Sequence, residues 1–261
     1  MHHHNTTWIS TVANTGTQWT FNVVREIYNS QRYNVLPKRA LKDYKRYLNI
    51  YKNEALNDYD SNNHYVMSCH APLQLYLPRT KFITNLRNPY DNCASYYEFM
   101  KCSVDDAIAC AKNIPLLIQH YSNLKKEKLF ILRFEDIDEK PQSLIKKIAK
   151  FLGFDLPETE IRKIVNKYSR GKIRLMIQEN DRSLSQRITS GEEIDQEDVV
   201  IRDGGNRIDS FDINTGYLSN HISKRKNGEW KLAFSCSQIE KIISSLDETA
   251  KMLGYGSEKS V

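Results

Sequence analysis

The 261-residue chain is poor in cysteine, with five spread over Cys69, Cys93, Cys102, Cys110 and Cys236. An odd count without a closely spaced pair excludes a disulfide framework and a zinc knuckle, and leaves free thiols. Long apolar runs are missing as well. No stretch approaches the roughly 18 to 20 apolar residues that cross a bilayer, and the first residues show no basic, apolar, small-residue leader pattern. A cytoplasmic protein without a membrane partner is therefore expected; His2, His3 and His4 carry no weight in this reading. Segregated charge is absent too. The 38 Lys and Arg are spread among 32 Asp and Glu for a net +6, which suits an anionic small ligand better than a nucleic acid.

What is present is enough apolar sequence, 40% of residues, to bury one large core, so a single domain over residues 1–261 is expected. Short β-rich runs at 7–12, 64–69, 81–86 and 129–134 alternate with helical patterns at 17–28, 38–52, 91–100, 104–121, 141–152 and 158–168. Such alternation predicts an α/β fold, a three-layer sandwich with a central, mostly parallel sheet. In the 141–152 segment Leu144, Ile145, Ile148 and Leu152 share one face, and Gly153 stops the helix. From 171 to about 228 the pattern weakens into polar, acidic sequence containing Gly191, Gly204, Gly205 and Gly216, read as a loop-rich cap. Helical spacing resumes over 236–253 through Ile239, Ile242, Ile243, Leu246 and Ala250.

The first strand hands over to a helix through Thr11-Val-Ala-Asn-Thr-Gly-Thr-Gln-Trp19. A strand-to-helix turn offers backbone amides and a helix dipole to a phosphate. Gly16 permits close approach, while Thr15 and Thr17 add hydroxyl donors. An ordinary capped helix start has the same spacing. The loop lacks the Gly-x-x-x-x-Gly-Lys-Ser/Thr of NTP-hydrolysing P-loops, and no acidic strand end follows for magnesium, which weighs against a P-loop-like small-molecule kinase. Arg87 ends the third strand and Ser95 lies in the next helix, so a guanidinium and a hydroxyl can grip one phosphate. His70, in Ser68-Cys-His-Ala-Pro72, ends the second strand, where its side chain would enter the same cleft.

Taken together these stretches resemble the cytosolic-type sulfotransferase family. Residues Thr11, Gly16, Thr17 and Trp19 match its 5′-phosphosulfate loop, Thr-Tyr-Pro-Lys-Ser-Gly-Thr-Thr-Trp, with Asn14 in place of the lysine. Arg87 to Phe99, with Asp91, Tyr96 and Tyr97, is similar to its 3′-phosphate motif. Arg133-Phe-Glu-Asp136 with the later Phe151-Leu-Gly153 resembles its fourth-strand signature, Phe134 replacing a tyrosine. Lys224-Arg-Lys-Asn-Gly-Glu-Trp-Lys231 looks like a shortened form of its late basic element.

The resemblance implies a P-loop-like phosphosulfate loop and transfer of a sulfuryl group from 3′-phosphoadenosine 5′-phosphosulfate (PAPS) to a hydroxyl or amine of a small-molecule acceptor. Adenosine 3′,5′-bisphosphate (PAP) would leave, and no metal would be needed. It places donor binding on Thr15, Gly16, Thr17, Gln18, Trp19, Arg87, Ser95, Phe134, Arg225 and Lys226, and catalysis on His70 as base with Asn14. Ser68 stands where the family has a second lysine, and Lys38, Lys172 or Arg174 are candidates to replace the missing charge. The acidic residues Glu192, Glu193, Asp195, Glu197, Asp198, Asp203, Asp209 and Asp212 suggest a cationic acceptor of saxitoxin type, against the plainer reading of a solvated loop. Tyr44, Tyr47 and Tyr51 fit core packing better than an acceptor pocket. A catalytically silent PAP-binding relative is the alternative, and a homodimer is compatible with either.

Overall fold

The strand β1 (Thr6–Ser10) is buried at every position. A strand covered on both faces belongs in the middle of a sheet flanked by helices. β1 pairs in parallel with β3 (Asn63–Cys69) on one side and β4 (Thr80–Leu86) on the other. β2 (Asn34–Leu36) lies outside β3 and β5 (Leu129–Arg133) outside β4, which gives the order β2-β3-β1-β4-β5, parallel throughout. The computed structural model describes residues 5–74, 77–202 and 205–256. The chain first winds from β1 toward β2 and β3, then returns past β1 to β4. The crevice at such a reversal, beyond the carboxyl ends of the strands, is where open α/β sheets bind ligands.

α1 (Thr17–Ser30) packs with α6 (Pro141–Leu152) and α7 (Glu158–Lys167) over the main core around Trp8, Phe21, Ile83 and Ile145. α3 (Pro89–Met100), α4 (Val104–Tyr121) and α9 (Cys236–Met252) pack together around a second apolar cluster centred on Tyr90 and Trp230. Helix ends follow local chemistry. Reciprocal capping boxes start α4 (Ser103 with Asp106) and α9 (Ser235 with Gln238). Pro141 opens α6, and Gly153, with φ of 103°, closes it.

The structure corrects two expectations. The predicted helix over 38–52 begins only at Asp43, whose side chain caps α2 (Tyr44–Ile50), and a π turn (Tyr51–Ala55) follows. Tyr47 and Tyr51 are buried against Trp8, in keeping with the core-packing reading. The segment 171–228 is not simply loop: α8 (Arg170–Thr189) runs for 20 residues, and β6 (Val199–Arg202) pairs antiparallel with β7 (Arg207–Ser210). α8 buries only Ile173, Ile177 and Leu184, a stripe too thin to register as a period. Its remaining ties are polar: Asp181 accepts from Ser210 and Ser219, and Asn180 donates to Asp212. Asp203, Gly204 and the three leading histidines lie outside the described residues.

An aromatic pair anchors the end of the late basic segment to α3. Trp230 is fully buried and stacks on Tyr90, with ring centroids 5.0 Å apart. Replacing Trp230 by alanine removes this anchor, and urea denaturation should show a loss of about 3–5 kcal/mol.

Candidate active site

Four carboxyl-terminal strand ends converge on one cleft of about 1280 Å³. β1 leads into the loop 11–16, β3 into His70, β4 into Arg87 and β5 into Phe134, because the parallel register sets Ser10 beside Cys69 and Leu86 beside Arg133. Of the residues singled out in the sequence, Asn14, Gly16, Thr17, Gln18, Trp19, His70, Arg87, Ser95, Phe134 and Arg225 line this cleft. Thr15 and Lys226 do not.

The loop is held by its carbonyls. Ala13 O accepts from Asn92 Nδ2 (2.8 Å), Asn14 O from Arg87 Nη1 (2.5 Å) and Thr15 O from Asn85 Nδ2 (2.9 Å). Gly16 O takes the Thr20 amide and hydroxyl. Fastening the acceptors of consecutive peptides leaves the amides as the loop's chemical face, and α1 starts at Gly16 with no side-chain cap. Gly16 has φ of 90°, and a Cβ there would lie 2.9 Å from Phe134 and from Ile137. Asn14 is left-handed, with φ of 60°, a conformation asparagine tolerates better than lysine. Its side chain donates to Ser95 O (3.1 Å), so it ties the loop to α3. Thr15 is fully buried and its hydroxyl donates to Val12 O, which corrects its expected role as a hydroxyl donor to a ligand. Trp19 Nε1 donates to Tyr168 O, which fixes the indole at the cleft wall.

Arg87 is the buried cation of the site. Its guanidinium lies 4.0 Å from the Phe134 ring centroid, and its Nε is buried without a hydrogen-bond partner. Burial lowers its pKa to about 10, Asp91 and Glu135 oppose the shift, and the charges of Arg170 and Arg225 add to it. Three guanidiniums thus crowd one end of the cleft with a donor to spare, an arrangement that calls for an anion. Arg170 bridges Asp138 and the carbonyls of Ser223 and Arg225, and Arg225 pairs with Glu98. Asp91 accepts from Gly228 N (2.8 Å) and pins the basic segment to α3. Lys224 lines the cleft, whereas Lys226 is exposed outside it, so the expected Arg225–Lys226 pair is corrected to Lys224 and Arg225.

The candidate substitutes for the missing lysines fail on position. Lys38 pairs with Asn34, Lys172 is exposed, Arg174 donates to Ser223 O, and none of the three lines the cleft. Ser68 is buried, with the Tyr47 hydroxyl as a hydrogen-bond neighbour.

His70 Nδ1 lies 3.3 Å from Thr11 O. A carbonyl only accepts, so Nδ1 carries the proton and Nε2 holds the lone pair. The ring keeps an accessible surface, but that surface opens into the cleft among protein atoms, and desolvation lowers its pKa against the bond to Thr11. A second imidazole, His221, escaped the sequence reading because it sits in the aperiodic cap. It has the opposite tautomer: Leu218 N donates to Nδ1 (3.3 Å), which leaves Nε2–H as donor. It stacks on Phe99 with centroids 5.2 Å apart. Desolvation, then the charges of His70 and Arg202, lower its pKa to about 4 against the pull of Asp209.

The acidic run of the cap points elsewhere. Arg187 pairs with Glu192 and Asp198, Arg46 with Glu197, and Asp209 with both Arg202 and Arg207, while Asp195 and Asp212 accept backbone amides. None of the described members of this run lines the cleft.

Residues 4–204 match the model of the sulfotransferase domain. A mouse protein, sulfotransferase 1 family member D1, is 24% identical over 89% of this chain and 79% of its own length. Among solved structures, a mouse sulfotransferase complexed with PAP superposes with a TM-score of 0.60 at 15% identity, covering 95% of this chain and 85% of that one. Retinol dehydratase in complex with androsterone and PAP gives 0.59 at 15% identity, with 95% and 81% covered.

Because both imidazoles resist protonation in the fold, protonating them favours the unfolded chain. Stability should therefore fall as pH drops below the unfolded histidine value of about 6.5. NMR titration should find His221 neutral down to about pH 4 and His70 titrating below a free histidine.

Proposed function

The chain belongs to the sulfotransferase domain family, and on that footing we propose that it transfers a sulfuryl group from PAPS to a hydroxyl or amine of a small-molecule acceptor. One observation carries the reading: an uncapped helix start and a buried arginine with an unpartnered Nε share one cleft at the reversal point of a parallel sheet. A cleft of about 1280 Å³ exceeds the roughly 300–1,000 Å³ typical of a single small ligand, which leaves room for donor and acceptor together.

In this reading the amides of Gly16 and Thr17 hold the 5′-phosphosulfate at a point where no side chain intrudes. Arg87 and Ser95 take the 3′-phosphate, with Lys224 and Arg225 closing over it, and Trp19 and Phe134 flank the adenine. His70 Nε2 accepts the proton of the acceptor as its oxygen or nitrogen attacks sulfur. The bond from sulfur to the bridging phosphate oxygen breaks, its electron pair stays on that oxygen, and PAP departs. Charge growing on the leaving group is met by the start of α1 rather than by a lysine, since Asn14 is committed to Ser95 and Ser68 is buried beside Tyr47. That commitment of Asn14 and Ser68 is also what favours the second reading, a silent PAP-binding protein. The cationic, saxitoxin-type acceptor loses its support, because none of the described carboxylates that suggested it lines the cleft.

PAP should raise the melting temperature and ATP with magnesium should not. In a turnover assay with PAPS and a panel of phenols, alcohols and amines, His70→Gln should lower kcat by about 10²–10⁴ with PAP affinity retained. Full turnover in that variant would remove His70 as base, while PAP binding without any turnover in the native chain would establish the silent reading. Gly16→Ala, which needs a left-handed residue and a Cβ where Phe134 and Ile137 already sit, should weaken PAP binding by about an order of magnitude, read by calorimetry.

A further inference from the structure

Beyond the donor end, the cleft continues between α3 and the β6–β7 hairpin. Four cations line this end, namely Lys42, Lys101, Arg202 and Arg207, while the described carboxylates that line the cleft, Glu98 and Asp138, are paired with Arg225 and Arg170. The donor does not account for them, because its phosphates already have Arg87, Arg170, Lys224 and Arg225 at the other end.

These four differ in what they have left to give. Arg207 is saturated: Nε and Nη2 donate to Asp209, and Nη1 to Phe99 O. Arg202 reaches the same carboxylate through Nε alone (2.8 Å). Among the described residues its Nη1 meets the Met100 sulfur alone, at 3.5 Å, a weak acceptor, so the outer edge of the guanidinium is the unspent part. Asp209 is 3% exposed and divided between two arginines, so it cannot neutralise both. Lys42 is held by the carbonyls of Gln196 and Val199 and lies 5.2 Å from the Phe211 ring centroid; no described carboxylate is bonded to it, although Glu197, Asp198 and Asp195 act on its charge from nearby.

Phe99 joins Arg202 to His221. The guanidinium lies 5.0 Å from its ring centroid, and the His221 imidazole stacks on the same ring. His221 presents Nε2–H here, since Nδ1 is occupied by Leu218 N. Apolar side chains, among them Phe99, Val200, Ile201 and Leu218, complete the wall. The polar groups offered are thus N–H donors and positive charges beside an apolar surface.

We propose that the acceptor is an aromatic or aliphatic molecule carrying an anionic oxygen group, bound by Arg202 and the His221 Nε2–H, with its nucleophile turned toward His70. A carboxylate, a sulfate and a phosphate ester share this chemistry. The inference rests on the sulfuryl-transfer reading and refines it: the chamber favours negative acceptors, is nearly indifferent to size-matched neutral ones and repels cations.

The test is calorimetry on PAP-saturated protein with three probes of matched size: 4-hydroxyphenylacetate, 4-ethylphenol and tyramine, of charge −1, 0 and +1. The acid should bind about tenfold or more tighter than 4-ethylphenol, as one charge-assisted pair implies, with tyramine weakest and the preference shrinking in salt. Arg202→Gln should collapse the acid preference, and Lys42→Gln should reduce it. Equal or tighter binding of 4-ethylphenol or tyramine overturns the proposal, as does an acid preference that survives in Arg202→Gln. If that variant fails to fold, the ranking in the native chain decides alone. Replacing the carboxylate probe by 4-hydroxyphenyl sulfate or phosphate separates the anionic classes. PAP is titrated first: without PAP binding the sulfuryl-transfer reading falls and takes this inference with it, whereas PAP binding followed by the wrong ranking removes only the inference.

Discussion

The parallel register of β1 between β3 and β4 is the constraint on which the site depends. β1 is buried on both faces, and its pairing sets Ser10 beside Cys69 and Ile9 beside Ile83. A one-residue slip would turn every side chain of so buried a strand to the opposite face, so the register is strongly specified. Once it is set, the loop after Ser10, His70 and Arg87 must emerge at the same edge, and Phe134 joins them through β5. The residues are 59 positions or more apart in sequence where they meet, as in the contact of His70 with Thr11 and that of Arg87 with Asn14.

On that edge the polar side chains divide into those that shape the loop and those left for a ligand. Asn85, Asn92 and one arm of Arg87 hold carbonyls of the loop. The rest of Arg87, the start of α1 and the cleft face of Trp19 are what remains. This division explains why lysine can be absent at position 14. The backbone there is left-handed and the side chain bridges to α3, a geometric role for which asparagine is suited. The site becomes one whose positive character comes from arginines and helix amides.

Much of this was legible in the chain. The runs at 64–69, 81–86 and 129–134 appear as β3, β4 and β5 almost to the residue, because each is a short stretch rich in apolar and β-branched residues bounded by turns. The end of α6 at Gly153 was legible because a left-handed cap demands glycine. β2 has three residues, too few for a period. α8 was hidden by its polar surface and its three buried positions. The cap misled on charge as well, because counting carboxylates says nothing about where they point: Asp209, among the most buried of them, serves Arg202 and Arg207 behind the wall. Arg170 and His221 carried no signal, since their roles depend on contacts with Asp138, Ser223 and Phe99 that no spacing encodes.

The most direct test of the two-ended donor grip is a crystal structure of the chain with PAP. The account predicts the 5′-phosphate on the amides of Gly16 and Thr17, the 3′-phosphate within hydrogen-bond distance of Arg87 and Ser95, and adenine against Trp19. A nucleotide bound in the reverse orientation, or seated at the Arg202 end of the cleft, would contradict it.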